Sequence, residues 1–253
     1  MSSNSKYFFS KLRTIRDNPR RAVSLALDRF KRPVKIEVPP REKSTVLLRA
    51  NKNSNRLYFV FTGVAQNLMM HPSSFFNKTG IWDHNLVMLR DPSKGLYQGN
   101  ISEEMPDFLS TKARLLDYKK QLNCEEVYCV GTSAGAYAAI VFGHYMEVDA
   151  VSALAAPTKI NAARMRRNYS LSRSWKLPAI HSDLTKLLAN YNGKTKYHLY
   201  YCKDHQHNNE QAERLSSCSG VTLHPQEGDT HVVVKILEKS GQLETLFHFA
   251  KNI

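Results

Sequence analysis

An α/β fold, with a mostly parallel central sheet and helices on both faces, follows from three features of this 253-residue sequence. Short apolar runs rich in β-branched and aromatic residues recur at 56–61, 85–90, 127–130, 148–154 and 197–202, the right length for buried strands. Helical stretches separate them, and βαβ alternation of this kind gives parallel pairing with right-handed crossovers. The turn Gly131-Thr132-Ser133-Ala134-Gly135 joins one such run directly to a helix rich in small residues.

Length and composition fit one sizeable domain with a full apolar core, 42% of residues being hydrophobic. No run approaches the ~18 apolar residues that would span a bilayer. Tyr7-Phe8-Phe9 is not followed by a sustained apolar segment or a small-residue cleavage site, so no secretory signal is expected. Cys124, Cys129, Cys202 and Cys218 have neither metal-site nor disulfide-framework spacing, which points to a reducing cytoplasm. The net charge of +14 is uneven: the first fifty residues hold thirteen basic and four acidic side chains. An excess this local suits an anionic partner such as a membrane surface, or a solvated arm.

Residues 1–44 read as a basic helical arm, and 45–253 as the α/β domain. In the arm, Asn18 caps a helix that Pro19 opens, with Ala22, Val23, Leu25, Ala26 and Phe30 on its apolar face. The segment 34–38 alternates like an edge strand and stops at Pro39-Pro40, and 45–49 reads as a second strand. The central run 56–61 ends in Thr62-Gly63-Val64. After the strand at 85–90 comes a loop carrying Tyr97, at the end of the sheet where ligands bind in α/β folds, so Tyr97 is a candidate substrate contact. A helix is expected over 106–121. Residues 158–195 lose the α/β rhythm. There Arg164, Arg166, Arg167, Arg173 and Lys176 interleave with Met165, Tyr169, Leu171 and Trp175, as in a short basic, aromatic cap or a long connecting loop. Trp175 is a second candidate substrate contact. Beyond the strand at 197–202 lies Asp204, then a helix over 211–217, a last strand at 221–224, the turn Gly228-Asp229-Thr230-His231 and a C-terminal helical region.

The G-x-S-x-G turn carries the chemistry. A serine between a strand and a helix must occupy a sharp turn to lift its hydroxyl clear of the sheet, and side chains at the flanking positions would collide with strand and helix. Ala134 then begins the helix, where its amide points at a developing negative charge. Ser133, Asp204 and His231 all fall at the carboxyl ends of strands expected to be parallel.

This order, Ser then acid then His, resembles the α/β-hydrolase-fold serine hydrolases over roughly residues 45–253. The resemblance implies that Ser133 is a nucleophile activated by His231, and that Asp204 orients the imidazole. It also implies that the amides of Ala134 and Val64 form an oxyanion hole, although Thr62-Gly63-Val64 lacks a Gly-Gly signature. Competing assignments remain at this point. Asp229 is the fallback acid, His224 falls within a strand, and Asp204 with His205 and His207 lacks a recognised metal spacing. No metal or cofactor is expected. The expected activity is hydrolysis of an ester or thioester on a small-molecule or carrier-linked acyl substrate, for which the local basic excess favours an anionic group. Acyl transfer with the same residues, or a non-catalytic scaffold that binds a membrane or polyanion, are the alternatives. Nucleic acid is not an expected partner, since no motif has base-reading geometry.

Overall fold

A computed structural model describes residues 36–40, 44–172 and 175–247. The helical arm expected over 1–44 falls almost entirely outside them. The chain divides into two compact units, Met1–Ile36 and Glu37–Ile253, and everything below concerns the second. No described helix is long and apolar enough to cross a membrane.

Seven strands form the main sheet: β1 (Val46–Arg49), β2 (Arg56–Phe61), β3 (Asn85–Leu89), β6 (Glu126–Thr132), β7 (Ala150–Leu154), β8 (Lys196–Cys202) and β9 (Val221–Gln226). Their order is β1-β3-β2-β6-β7-β8-β9, and only β1 runs antiparallel. A two-stranded hairpin, β4 (Gly99–Ser102) with β5 (Met105–Asp107), lies apart from it. The sheet is mostly parallel, as the apolar runs predict. Its central strands are buried along their whole length, since helices cover both faces.

The strand expected at 34–38 does not form in its described part, 36–38. Pro39 and Pro40 have no amide to give a ladder. Instead the buried Arg90 guanidinium donates to the carbonyls of Pro39 at 2.8 Å and Ser44 at 2.7 Å.

The helices are α1 (Pro72–Thr79), α2 (Phe108–Gln121), α3 (Ala134–Met146), α4 (Ala162–Tyr169), α5 (Leu184–Leu188), α6 (Gln206–Glu213) and α7 (Val233–Ser240). α2 begins two residues later than Pro106 suggests, because Asp107 closes a capping box with Ser110. α3 is buried without a break from Ala134 to Gly143. Its Phe142 stacks on Phe61 of β2, with centroids 5.5 Å apart, and on Phe108 of α2 at 4.9 Å. Across the other face, Tyr58 stacks on Tyr128 and meets Phe247 edge-on, each at 5.1 Å.

The excursion after β7 is tied down at several points. Thr158 and Lys159 donate their amides to Gln211 Oε1 at 2.7 and 2.9 Å, and Arg214 grips Asp183 at 2.8 Å. The carbonyl of the buried His181 accepts from Tyr137 of α3. Within it, α4 half-buries Ala162, Met165 and Tyr169 and exposes Arg164, Arg166 and Arg167.

Candidate active site

The turn after β6 has the geometry that its small residues require. Ser133 adopts φ 53° and ψ −122°, a positive-φ conformation that costs an L-residue about 1–3 kcal/mol and persists only when its surroundings enforce it. Here the Ser133 amide donates to Leu154 at the end of β7 (2.8 Å), and its carbonyl accepts from Ala136 and Tyr137. Gly131 and Gly135 allow the approach. A Cβ on Gly131 would lie 2.1 Å from the Gly135 carbonyl oxygen, and one on Gly135 would lie 2.1 Å from the Phe61 oxygen.

His231 reaches this serine from the loop between β9 and α7. Its Nε2 lies 3.0 Å from Ser133 Oγ, both side chains being half-buried. Its Nδ1 lies 2.9 Å from Asn208 Oδ1. Burial, reinforced by the nearby charges of His205 and His207, holds the His231 pKa below the ordinary histidine value.

The expected orienting acid is therefore not where the sequence suggests. Asp204 does follow β8, but it is exposed, and its Oδ2 accepts the Gly228 amide at 2.9 Å. It anchors the turn that leads to His231. The residue facing the imidazole is Asn208, 3% exposed, one turn inside α6. A helix expected over 211–217 leaves Asn208 outside it, whereas the helix begins at Gln206. His205 caps the earlier start with its ring nitrogen, which accepts the Asn208 amide at 3.3 Å.

The loop after β2 stands beside the serine. A Cβ on Gly63 would come within 3.6 Å of Ser133 Cβ and 3.2 Å of the Thr132 carbonyl. The Asn67 carbonyl holds this loop in place, accepting from Gly63 N at 2.9 Å and from Thr132 Oγ1 at 3.4 Å. Among the described residues, no acceptor takes the amide of Val64 or of Ala134. Ala134 begins α3 directly after the serine, and Val64 follows Gly63 on this loop, the two positions from which main-chain amides would have to reach an oxyanion.

Neither expected substrate contact holds in the simple form. Tyr97 is 1% exposed, and its hydroxyl donates within the protein, with the Thr62 carbonyl at 2.9 Å and the Leu89 carbonyl at 3.0 Å. It ties the ends of β2 and β3 together and so braces the loop that carries Val64. Trp175 spends its indole N–H on the Gly95 carbonyl at 3.2 Å, fastening the excursion to the loop after β3. A cleft of about 620 Å³ lies at the far end of α3 among Leu116, Tyr145, Ile180, Lys186 and Tyr191, and neither Ser133, His231 nor Asn208 lines it. Among the described residues no cluster of His, Cys, Asp and Glu is arranged to hold a metal ion.

No protein-family model matches the chain, and no curated protein matches its sequence. Solved structures do match. A metagenome-derived lipolytic enzyme is 14% identical with a TM-score of 0.54, covering 86% of this chain and all of that one. The esterase domain of a Rhodothermus marinus protein is also 14% identical, with a TM-score of 0.54 over 81% and 90% of the two chains. A protein that recognises and cleaves the ring of the Pseudomonas quinolone signal is 9% identical, with a TM-score of 0.52 over 85% and 100%. With a β1 antiparallel to an otherwise parallel sheet, a strained serine between β6 and α3, and a histidine after β9, this chain has the α/β-hydrolase fold.

Proposed function

We propose that the protein is a serine hydrolase that cleaves an ester or thioester through an acyl-enzyme. The observation that carries this reading is Ser133 Oγ, raised on a strained turn 3.0 Å from His231 Nε2 at the start of α3. Several of the matching structures are named as esterases or lipolytic enzymes, which agrees with it.

In the acylation step, Ser133 Oγ attacks the acyl carbon while its proton passes to His231 Nε2. The carbonyl oxygen takes up negative charge toward the amides of Ala134 and Val64, each such donor contributing about 3 kcal/mol to the barrier reduction. Collapse breaks the bond to the alcohol or thiol, which leaves with the proton from Nε2. Water then repeats the sequence on the acyl-enzyme and regenerates Ser133. The exposed arginines of α4 favour a substrate with a carboxylate, a phosphate or a charged carrier group.

The test is labelling by a fluorophosphonate probe together with turnover of a short p-nitrophenyl ester. Both should be lost in Ser133→Ala and His231→Ala. A folded wild-type chain that neither labels nor turns over the ester would overturn the proposal.

A further inference from the structure

In a nucleophile–base pair, the histidine must carry its proton on the nitrogen facing away from the serine. Here the group facing that nitrogen is an uncharged amide, and its two side-chain contacts fix which end of it faces the ring. Asn208 Oδ1 lies 2.9 Å from His231 Nδ1, while its Nδ2 turns toward the Thr230 carbonyl at 3.4 Å. A carbonyl can only accept, so it selects the NH2 end of the amide and leaves the oxygen for the imidazole. The Asn208 main chain is held as well, its amide donating to His205 Nδ1 at the start of α6. At 3% exposure the side chain cannot exchange these partners for water.

We infer that Asn208 is the positioning residue of the Ser133–His231 pair: a neutral amide, locked by the Thr230 carbonyl, that holds His231 with its proton on Nδ1 and leaves Nε2 free to accept. The inference rests on the serine-hydrolase reading for its catalytic consequence, but the tautomer is a property of the folded protein itself. If the amide were turned over, its NH2 would donate to Nδ1. The ring proton would then sit on Nε2, pointing at Ser133 Oγ, and the histidine could accept nothing from the serine.

An amide differs from a carboxylate in one measurable way. It orients the ring without stabilising the imidazolium by charge, so the base stays weak. The ionisable groups around His231 reinforce this. His205 and His207 face it from α6, and both oppose its protonation. On the neighbouring turn, Asp204 is engaged with the Gly228 amide, Asp229 is exposed, and Glu227 pairs with Lys203 at 2.8 Å. The elbow and the loop from Thr62 to Asn67 bring no ionisable side chain.

The experiment is histidine-selective nitrogen NMR of the full chain, with the His231 signals assigned by their loss in His231→Ala, alongside ester kinetics across pH. In the wild type, neutral His231 should show its proton on Nδ1. Asn208→Ala should shift the population toward the Nε2-protonated ring and lower kcat by about 10²–10⁴ with little change in KM. Asn208→Asp, the isosteric variant, should retain the Nδ1 proton and most activity. It should also raise the His231 pKa, moving the acid limb of kcat/KM to higher pH by about one unit or more. An unchanged tautomer in Asn208→Ala, or an acid limb that does not move in a folded Asn208→Asp, would overturn the inference. If Asn208→Ala fails to fold, Asn208→Asp decides alone. A wild type without ester turnover would sink the proposed function, and the NMR readings would still decide the role of Asn208.

Discussion

The Tyr97 hydroxyl sits between the carbonyls of Thr62 and Leu89 with almost no access to solvent, and the loop it braces is the one that brings Gly63 beside Ser133. Replacing it by Phe keeps the ring and removes the one buried proton shared between these carbonyls, of which Leu89 O still accepts the Thr62 amide, at a cost of about 1–3 kcal/mol. Tyr97→Phe should therefore lower the urea midpoint and, if the proposed oxyanion role of this loop holds, reduce kcat more than it raises KM. Asp204 makes a sharper contrast. As the acid of a triad its loss would cost about 10⁴ in kcat, whereas as the anchor of the Gly228 amide it should cost about tenfold or less, and Asp204→Ala should still label with a fluorophosphonate. The serine and the histidine were legible because a G-x-S-x-G turn and a post-strand Gly turn are local signals. Asn208 was not, because its role depends on a helix start fixed by His205 and on a ring that arrives from 23 residues further along. The depressed His231 pKa carries its own expectation: the base form survives to lower pH, so the acid limb of kcat/KM in the wild type should have its midpoint below about 6.5.

At the level of elements, the junction between β6, α3 and the end of β2 is a contact of backbone with backbone. A Cβ at Gly135 would meet the Phe61 oxygen at 2.1 Å and the Thr62 oxygen at 2.6 Å, and neither atom can swing aside as a side-chain tip would. Gly135→Ala should cost at least the 1–3 kcal/mol typical of overpacking, seen as a lower Tm or loss of soluble protein. Gly63→Ala differs in kind, because its nearest neighbours would stand at 3.2–3.6 Å and include Ser133 itself. That variant should fold with nearly wild-type Tm and lose about ten- to hundredfold in kcat by displacing the loop beside Ser133 that the proposed mechanism uses. The same contrast of scale separates what the sequence revealed from what it hid. Strands such as β3 and β7, apolar at four of five positions and buried along their whole length, announce themselves. The hairpin of β4 and β5 did not, since strands of four and three residues bury only Gly99, Ile101 and Met105 and are too short to show a period.

For the molecule as a whole, the charge balance and the histidines together set how it should respond to acid. His144, His181, His198, His224 and His231 all have depressed pKa values, with burial as the leading cause in each. The strongest case is His198 on β8, pushed down to about 4 by burial and by His224 on β9. The two rings meet with His198 Nδ1 3.0 Å from His224 Nε2, a contact that one shared proton satisfies and two positive charges would break. Tyr200 closes over His224 at 4.4 Å with the rings nearly parallel. In the unfolded chain each imidazole takes up a proton near pH 6.5, whereas in the fold it stays neutral to lower pH. Between those two values the unfolded state binds more protons, so stability rises with pH and is lost as the pH falls through this window. Asp91, whose pKa burial raises, works in the opposite direction, but it is one group against five. The formal charge of +14 grows as histidines protonate, and self-repulsion adds to the loss. Tm should therefore fall steadily from pH 7 to pH 4.5, before most carboxylates titrate. The double variant His198→Gln/His224→Gln should show a shallower fall over the same range, because it removes His198, held down to about 4, together with the ring it faces. A wild-type Tm that stays flat from pH 7 to 4.5, or a double variant with the full wild-type slope, would show that the buried histidines do not control the acid stability of this fold.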